Sequence, residues 1–293
     1  MDGGVEASDG PPSGSPDAGG VCDQTKPFGL ATVANGADST DGDVSPWLSR
    51  DELTLYFASD RGGARAIYVA TRSSLQMPFG PASPVPGLAA NVPGSADARP
   101  VLPSDELTLY FESSRLSMVS IFYSTRTTKQ DDWSMPQLVP GVSDGVAVDG
   151  GGPFIMPSGN VLYFQSVRVD GHQDIFRTER TGGRWSTPST LRNVDLLGQD
   201  DLVPVLSDDE LTIFFTSTRS DRNGDIFVAK RTSQTDDFEV PVAVQELNTA
   251  YFDAPGWLSP DGCRLYFMRG DGVGTRIYLA SRPPLANLDG GTF

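Results

Sequence analysis

Acidic side chains recur in this sequence at nearly constant intervals, each at a fixed distance from an aromatic pair. In four of five copies an Asp stands fourteen residues before the second aromatic, and in the third copy Gly150 takes that place with an Asp beside it. The acidic residues are Asp43, Asp97, Asp149, Asp201 and Asp253. An arginine follows the same aromatic by four residues in the first four copies, as Arg61, Arg115, Arg168 and Arg219.

Carboxylates that converge on one axis repel one another unless a positive charge neutralises them. A bound calcium ion could do so, since it takes several oxygen ligands, and this reading makes Asp43, Asp97, Asp201 and Asp253 candidate metal ligands. The repeated arginines could also neutralise the ring, and both sets together are then candidate ligand-binding residues. The alternative is that each Asp–Arg pair only connects neighbouring loops.

The segments around these side chains form an explicit repeat. Residues 51–57 read Asp-Glu-Leu-Thr-Leu-Tyr-Phe, residues 105–111 repeat that string, and looser copies end at Phe164, Phe215 and Phe267. The period is therefore 51 to 54 residues. Each unit divides into four short strands, with a Pro-bearing strand at the outer edge. Four strands at this period predict an all-β fold, a five-bladed β-propeller with four-stranded antiparallel blades.

The two ends of the repeat array complement each other. The fifth unit has three strands and ends at Arg282, whereas residues 26–35 resemble an isolated outer strand. We therefore expect the N-terminal segment to supply the outer strand of the fifth blade and close the ring. Closure would bring Cys22 towards Cys263, and a disulfide between them would indicate an oxidising compartment. Two free buried thiols are the alternative.

Composition limits the partners of the chain. With 38 acidic and 22 basic residues, the formal charge of −16 disfavours nucleic acid and anionic membranes. No apolar run approaches the roughly 20 residues of a membrane helix. Residues 1–24 are rich in Gly, Ser, Pro and Asp and predict a disordered acidic tether before a propeller of residues 25–293. Such a leader is typical of a lipoprotein without its signal and anchor, which suggests export.

Two stretches carry a family resemblance. Residues 255–267 contain Leu-Ser-Pro-Asp-Gly before Leu-Tyr-Phe, and residues 217–227 contain Ser-Thr-Arg and then Asp-Ile-Phe. This pattern resembles the WD40-like propeller repeat of TolB-type periplasmic proteins and extends over about residues 27–282. The fifth unit departs from it, with Met268-Arg269-Gly270 in place of Ser-x-Arg. The resemblance implies a propeller that is often exported and often a binding scaffold, and it implies no chemistry.

These observations predict a non-catalytic, exported or cell-surface scaffold, expected to be a monomer. It would bind a protein, peptide or glycan at the loop face around an acidic channel mouth. The alternative is a carbohydrate-active hydrolase or lyase, which would need two unpaired carboxylates roughly 5 to 10 Å apart in an open pocket. Carboxylates engaged by the repeated arginines, or by one metal, would favour the scaffold. A channel plugged by side chains would favour a structural module.

Overall fold

The computed structural model describes residues 22–34, 36, 42–88, 94–116, 118–142, 148–167, 171–220 and 223–285. Of residues 148 and 149 it describes only the backbone. The predicted tether, apart from its last three residues, lies outside the described part of the chain.

Five antiparallel sheets make up the described fold, and no helix occurs among the described residues. The first blade has β2 (Asp43–Leu48), β3 (Thr54–Ser59), β4 (Ala66–Thr71) and β5 (Ser83–Pro84). The second has β6 (Asp97–Val101), β7 (Thr108–Ser113), β8 (Ser120–Thr125) and β9 (Gln137–Leu138). The third has β10 (Val148–Ile155), β11 (Val161–Val167), β12 (Gln173–Thr181), β13 (Arg184–Trp185) and β14 (Ser189–Thr190). The fourth has β15 (Asp201–Leu206), β16 (Thr212–Ser217), β17 (Asp225–Lys230) and β18 (Val242–Ala243). The fifth has β19 (Asp253–Leu258), β20 (Arg264–Gly270), β21 (Thr275–Ser281) and β1 (Thr32–Val33).

The strand order confirms the predicted closure of the ring. Strand β1 pairs antiparallel with β21, with Thr32 opposite Leu279 and Val33 opposite Tyr278. The sulfur atoms of Cys22 and Cys263 are 2.11 Å apart and form a disulfide. Because the two cysteines are separated by 241 residues, this bond constrains nearly the whole unfolded chain.

The repeated string forms the core of each blade. In β3 the side chains of Leu55 and Phe57 are fully buried, and Phe57 lies against Tyr68 of β4 with ring centroids 6.1 Å apart. The other four blades repeat this aromatic pair at 5.7 to 6.2 Å. The alternation of the string thus buries Leu55 and Phe57 on one face of β3 and Tyr56 on the other.

The inner strands leave almost no space at the axis. Each inner strand shifts register against its neighbour. The remaining cavity is about 20 Å³, room for one water molecule. A proline from every blade lines it, namely Pro46, Pro100, Pro153, Pro204 and Pro255. Within the described residues, side chains therefore fill this part of the axis, the arrangement expected for a structural module.

Candidate functional site

The repeated aspartates are buried and paired with the repeated arginines. Arg61 Nη2 lies 2.9 Å from Asp43 Oδ1, and the side chain of Asp43 is fully buried. The same pair recurs in the second and fourth blades, at 2.9 Å between Arg115 and Asp97 and at 2.7 Å between Arg219 and Asp201. Each guanidinium also lies over the aromatic pair of its own blade, at 4.9 to 5.3 Å from the ring centroids.

These pairs also fasten the segments that link successive blades. Arg219 Nη2 donates to the carbonyl of Val194, and Asp201 Oδ2 accepts the amide of Leu196 at 2.8 Å. Arg115 makes the equivalent bond to the carbonyl of Leu88. Because the hydrogen-bonding groups are used within the fold, these carboxylates do not form an open acidic mouth. Carboxylates engaged in this way are the arrangement expected for a scaffold.

The fifth blade contains a pair that the sequence analysis missed. Arg269 Nε donates to Asp253 Oδ1 at 2.7 Å, and its guanidinium lies over the rings of Phe267 and Tyr278 at about 5 Å. Arg269 stands two residues after Phe267 rather than four. The sequence signal was the Met-Arg-Gly departure, which keeps an arginine but changes its spacing.

The third blade is the exception on this face. Arg168 and the side chain of Asp149 lie outside the described residues, so their predicted pairing stays a prediction. A Cβ on Gly151 would lie 2.5 Å from Glu112 Oε2, and one on Gly152 would lie 2.4 Å from Gln165 Oε1. Neighbouring polar side chains therefore fill the space beside Gly151 and Gly152.

No metal centre is evident in the described residues, which contain no group of three or more His, Cys, Asp or Glu side chains suited to hold an ion. Calcium at the aspartate ring stays a prediction from the sequence.

A second repeated arginine organises the opposite face of the propeller. It stands five residues after the Ile of each third strand, and its Nε donates to a carbonyl in the turn before the second strand. Its guanidinium also lies over an aromatic ring near the outer strand, at 4.1 to 4.5 Å. The arginines that follow this rule are Arg72, Arg126, Arg231 and Arg282.

The turn residue beneath this arginine has a left-handed backbone in every blade. It is Glu52, Glu106 or Glu210 in the first, second and fourth blades, at φ of 55° to 65°. It is Gly159 or Gly262 in the third and fifth blades. Glutamate rarely adopts this conformation, so its presence in three blades indicates that the carboxylate compensates for the strain.

In the first and fourth blades that carboxylate joins the blade to the preceding one, and we call this contact the carboxylate clasp. Glu210 accepts hydrogen bonds from Tyr163 of the third blade and, at 2.8 Å, from Arg177, and it lies 3.3 Å from Arg231. Burial first, and then the bond to Glu210, raise the pKa of Tyr163.

The first blade forms a clasp of the same kind with the fifth. Glu52, 3% exposed, lies 2.6 Å from Arg264 and accepts a hydrogen bond from Tyr266 at 3.3 Å. Burial first, and then Glu52, raise the pKa of Tyr266 to about 12.

The interface between the second and third blades lacks this carboxylate. Gly159 occupies the glutamate position, while Tyr110 and Arg180 keep the positions of the clasp tyrosine and arginine. Within the described part of the chain, no carboxylate lies within 4.0 Å of Arg180, whose side chain interacts with Tyr110 and the ring of Trp185. Arg180 is exposed, whereas its four equivalents are buried or half-buried.

The interface between the fourth and fifth blades shows that losing the glutamate need not leave an open site. At this interface Gly262 occupies the glutamate position, and Phe214 occupies the position of the clasp tyrosine. Arg282 Nη1 donates to the carbonyls of Gln24 and Lys26, and its guanidinium lies over Phe28. The N-terminal segment therefore satisfies this arginine.

A shortened link opens the space around Arg180. Trp185 stands five positions after Arg180. In the first, second and fourth blades the equivalent aromatic residue stands seven positions after its arginine. Gly182 and Gly183 make the turn with φ of 58° and 81°, and Arg180 pairs directly with Trp185. The guanidinium lies 5.9 Å from the Trp185 ring, farther than in the other blades.

The result is a cavity of about 520 Å³ between the second and third blades, which we call the interblade pocket. Its volume is that of a small-molecule site. Its lining combines aromatic rings, hydroxyl groups and two arginines, and none of the described lining residues is acidic. They include Thr108, Tyr110, Tyr123, Thr125, Arg180, Arg184 and Trp185. Such a surface can bind an anionic group and a flat ring together.

The comparisons with known proteins agree with the fold. No family model and no curated protein matches the chain. TolB from Acinetobacter baumannii is 18% identical with a TM-score of 0.52, over 83% of this chain and 55% of that chain, so this chain spans about half the length of that protein. The α-L-arabinofuranosidase from Podospora anserina is 11% identical with a TM-score of 0.57, over 89% of this chain and 98% of that chain. The catalytic domain of a family 62 α-L-arabinofuranosidase from Coprinopsis cinerea is 11% identical with a TM-score of 0.54, over 87% of this chain and 96% of that chain. These likenesses concern the fold, and this chain has the fold of a TolB-like β-propeller.

Proposed function

We propose that this chain is a non-catalytic binding scaffold whose ligand occupies the interblade pocket. The observation that carries the proposal is the exposed Arg180, which has no carboxylate partner in the described residues and faces a cavity of about 520 Å³. A guanidinium that has no carboxylate partner and lies beside aromatic rings is a common basis for ligand recognition.

The state of the aspartates supports a scaffold rather than an enzyme. The four described aspartates of the ring, at Asp43, Asp97, Asp201 and Asp253, have side chains at most 4% exposed and pair with arginines. A protein, peptide or glycan is the class of ligand we propose for the scaffold, at the interblade pocket rather than the channel mouth.

Export is part of the proposal. The Cys22–Cys263 disulfide supports it, because disulfides persist in oxidising compartments. The periplasm, the outer membrane through a lipid anchor, and the extracellular medium are the compartments we propose. Among the described residues, no helix is long and apolar enough to cross a bilayer.

A glycan array and a peptide library, each probed with the parent protein and with Arg180→Gln, test this function. We expect at least one ligand class to bind the parent and to lose signal with the variant. Ligands that bind both proteins equally, or no ligand on either array, would contradict the proposed site.

A second candidate is a carbohydrate-active hydrolase, which the fold likeness to two arabinofuranosidases favours. Incubation with arabinose-substituted xylan and arabinan, followed by assay of released sugar, tests it. Sugar release by the parent protein would establish an enzyme and displace the scaffold proposal.

A further inference from the structure

We propose that the interblade pocket recognises an acidic saccharide, whose carboxylate takes the place of the missing clasp glutamate. This inference rests on the proposed binding function and specifies its ligand. Two interfaces supply a carboxylate to the arginine and tyrosine from within the chain, through Glu52 and Glu210, and the interface at Gly159 does not.

The surroundings of the vacant position are suited to an anion. Arg180 and Arg184 both line the pocket and are both exposed, and no acidic residue is among its described lining. The hydroxyl of Tyr110 is the equivalent of the Tyr163 and Tyr266 hydroxyls, which donate to Glu210 and Glu52. An incoming carboxylate would therefore meet the same two kinds of donor as an internal glutamate. The formal charge of −16 opposes anion binding to the chain as a whole, so binding of an anion here depends on Arg180 and Arg184.

The remaining lining favours a sugar ring over a peptide. Trp185 and Tyr123 are half-buried and present ring surface to the pocket, and Thr108 and Thr125 contribute hydroxyl groups. Flat rings pack against the C–H face of a pyranose, and hydroxyl groups hydrogen-bond its substituents. A peptide anchor would require a deeper apolar pocket, whereas Val139 is the buried aliphatic residue described in this lining.

The chain offers a direct test, because the missing glutamate can be restored. A Cβ on Gly159 would lie 3.5 Å from the nearest atom, on Pro103, which is ordinary contact. Its φ of 73° is close to the 65° of Glu210. Gly159→Glu should therefore place an internal carboxylate beside Arg180, and Gly159→Gln adds similar bulk without charge.

Isothermal titration calorimetry with a glucuronate-bearing oligosaccharide, and with its neutral glucose counterpart, measures the inference. We expect the acidic oligosaccharide to bind the parent most tightly, and to bind Gly159→Gln more tightly than Gly159→Glu, because the glutamine fills the same position but leaves Arg180 without a charged partner. Arg180→Gln and Gly159→Glu should weaken binding about tenfold or more, the loss expected for one charged hydrogen bond. The neutral oligosaccharide should bind at least tenfold more weakly than the acidic one.

Other outcomes separate this inference from the proposed function. Equal binding of neutral and acidic oligosaccharides, still sensitive to Trp185→Ala, would overturn carboxylate recognition and leave a binding scaffold. Binding of an acidic peptide, but of neither oligosaccharide, with the same dependence on Arg180 would overturn the saccharide assignment. No binding of any of these probes would overturn the inference, and the arrays would then decide the proposed function separately.

Discussion

Two cavities occupy equivalent places in the ring, and the open one lacks both the clasp glutamate and the second arginine, since Thr108 stands in the place of Arg264. The cavity between the fifth and first blades, of about 370 Å³, is lined by Arg72 and Tyr266, which share the internal carboxylate of Glu52. The interblade pocket has Arg180 and Tyr110 in those positions and Gly159 in place of the glutamate. The same architecture thus provides the arginine with a carboxylate from within the chain at one interface, and with none among the described residues at the other.

The largest effect should come from breaking the satisfied interface. Glu52→Gln leaves Arg72 and Arg264 without their carboxylate in a site where Glu52 is 3% exposed. We expect the free energy of unfolding to fall by about 3 kcal/mol, because removing one member of a buried pair leaves the other charge uncompensated. Urea denaturation measures it.

Arg180→Gln is the matched variant at the open interface. We expect it to change the free energy of unfolding by less than about 0.5 kcal/mol, since Arg180 is exposed and has no ion-pair partner in the described residues. Equal losses in Glu52→Gln and Arg180→Gln would remove the distinction between the two interfaces.

A second expected effect concerns the linking segments on the aspartate face. Burial raises the pKa of Asp195 to about 7, while the amides of Ile175 and Leu191 lower it. Its counterpart in the next link is Asn248, which bonds both the amide and the carbonyl of Ile226. Because the folded state holds the Asp195 proton more tightly than the unfolded state, the stability contributed by that proton is lost as pH rises from about 4 to 7.

We expect the free energy of unfolding to fall by roughly 1 to 2 kcal/mol over this pH range, a value that allows for screening of the partly exposed carboxyl by solvent. Asp195→Asn should flatten the dependence, which urea denaturation between pH 4 and pH 8 would detect. A parent protein whose stability is constant or rises over this window, with no difference from the variant, would contradict the assignment.

Restoring the glutamate should make the open interface resemble the closed one. We expect Gly159→Glu to raise the free energy of unfolding by about 1 kcal/mol relative to Gly159→Gln, because the new carboxylate pairs with Arg180 and Tyr110. High salt should reduce the difference, since the site is partly exposed. A glutamate variant no more stable than the glutamine variant would show that the site does not accept a carboxylate.

The smallest expected effect concerns calcium. If the aspartate ring holds an ion, a chelator should lower the melting temperature, and added calcium should restore it. Because the described aspartates of the ring pair with arginines, we expect chelation to shift the melting temperature by less than about 1 °C. Differential scanning calorimetry measures it, and a larger, calcium-reversible shift would establish the metal site.

The sequence predicted the architecture well because the repeat is written in the core residues. The Leu-Tyr-Phe string and its period define the strands. The isolated outer strand in residues 26–35 predicted that the ring closes by pairing with β21. The candidate site was harder to predict because it depends on departures from the repeat. The glycine at position 159 and the shorter link before Trp185 are visible in the sequence, but their meaning requires knowing that Tyr110 and Arg180 meet across an interface.

Arg269 illustrates the same limit. A residue can move by two positions in the chain and still reach the same carboxylate, because guanidinium side chains are long. Fixed spacing therefore identified the paired Arg61, Arg115 and Arg219 and missed Arg269, while the pairing of Arg168 stays a prediction.

Thermal unfolding of the parent and Gly159→Glu, with and without the glucuronate-bearing oligosaccharide, tests the central claim most directly. The account predicts that the ligand raises the melting temperature of the parent, in proportion to the logarithm of its concentration above Kd. It predicts that Gly159→Glu, stabilised relative to Gly159→Gln by its own carboxylate, responds little. A variant that responds to the ligand as strongly as the parent would contradict the claim that the ligand replaces a missing glutamate.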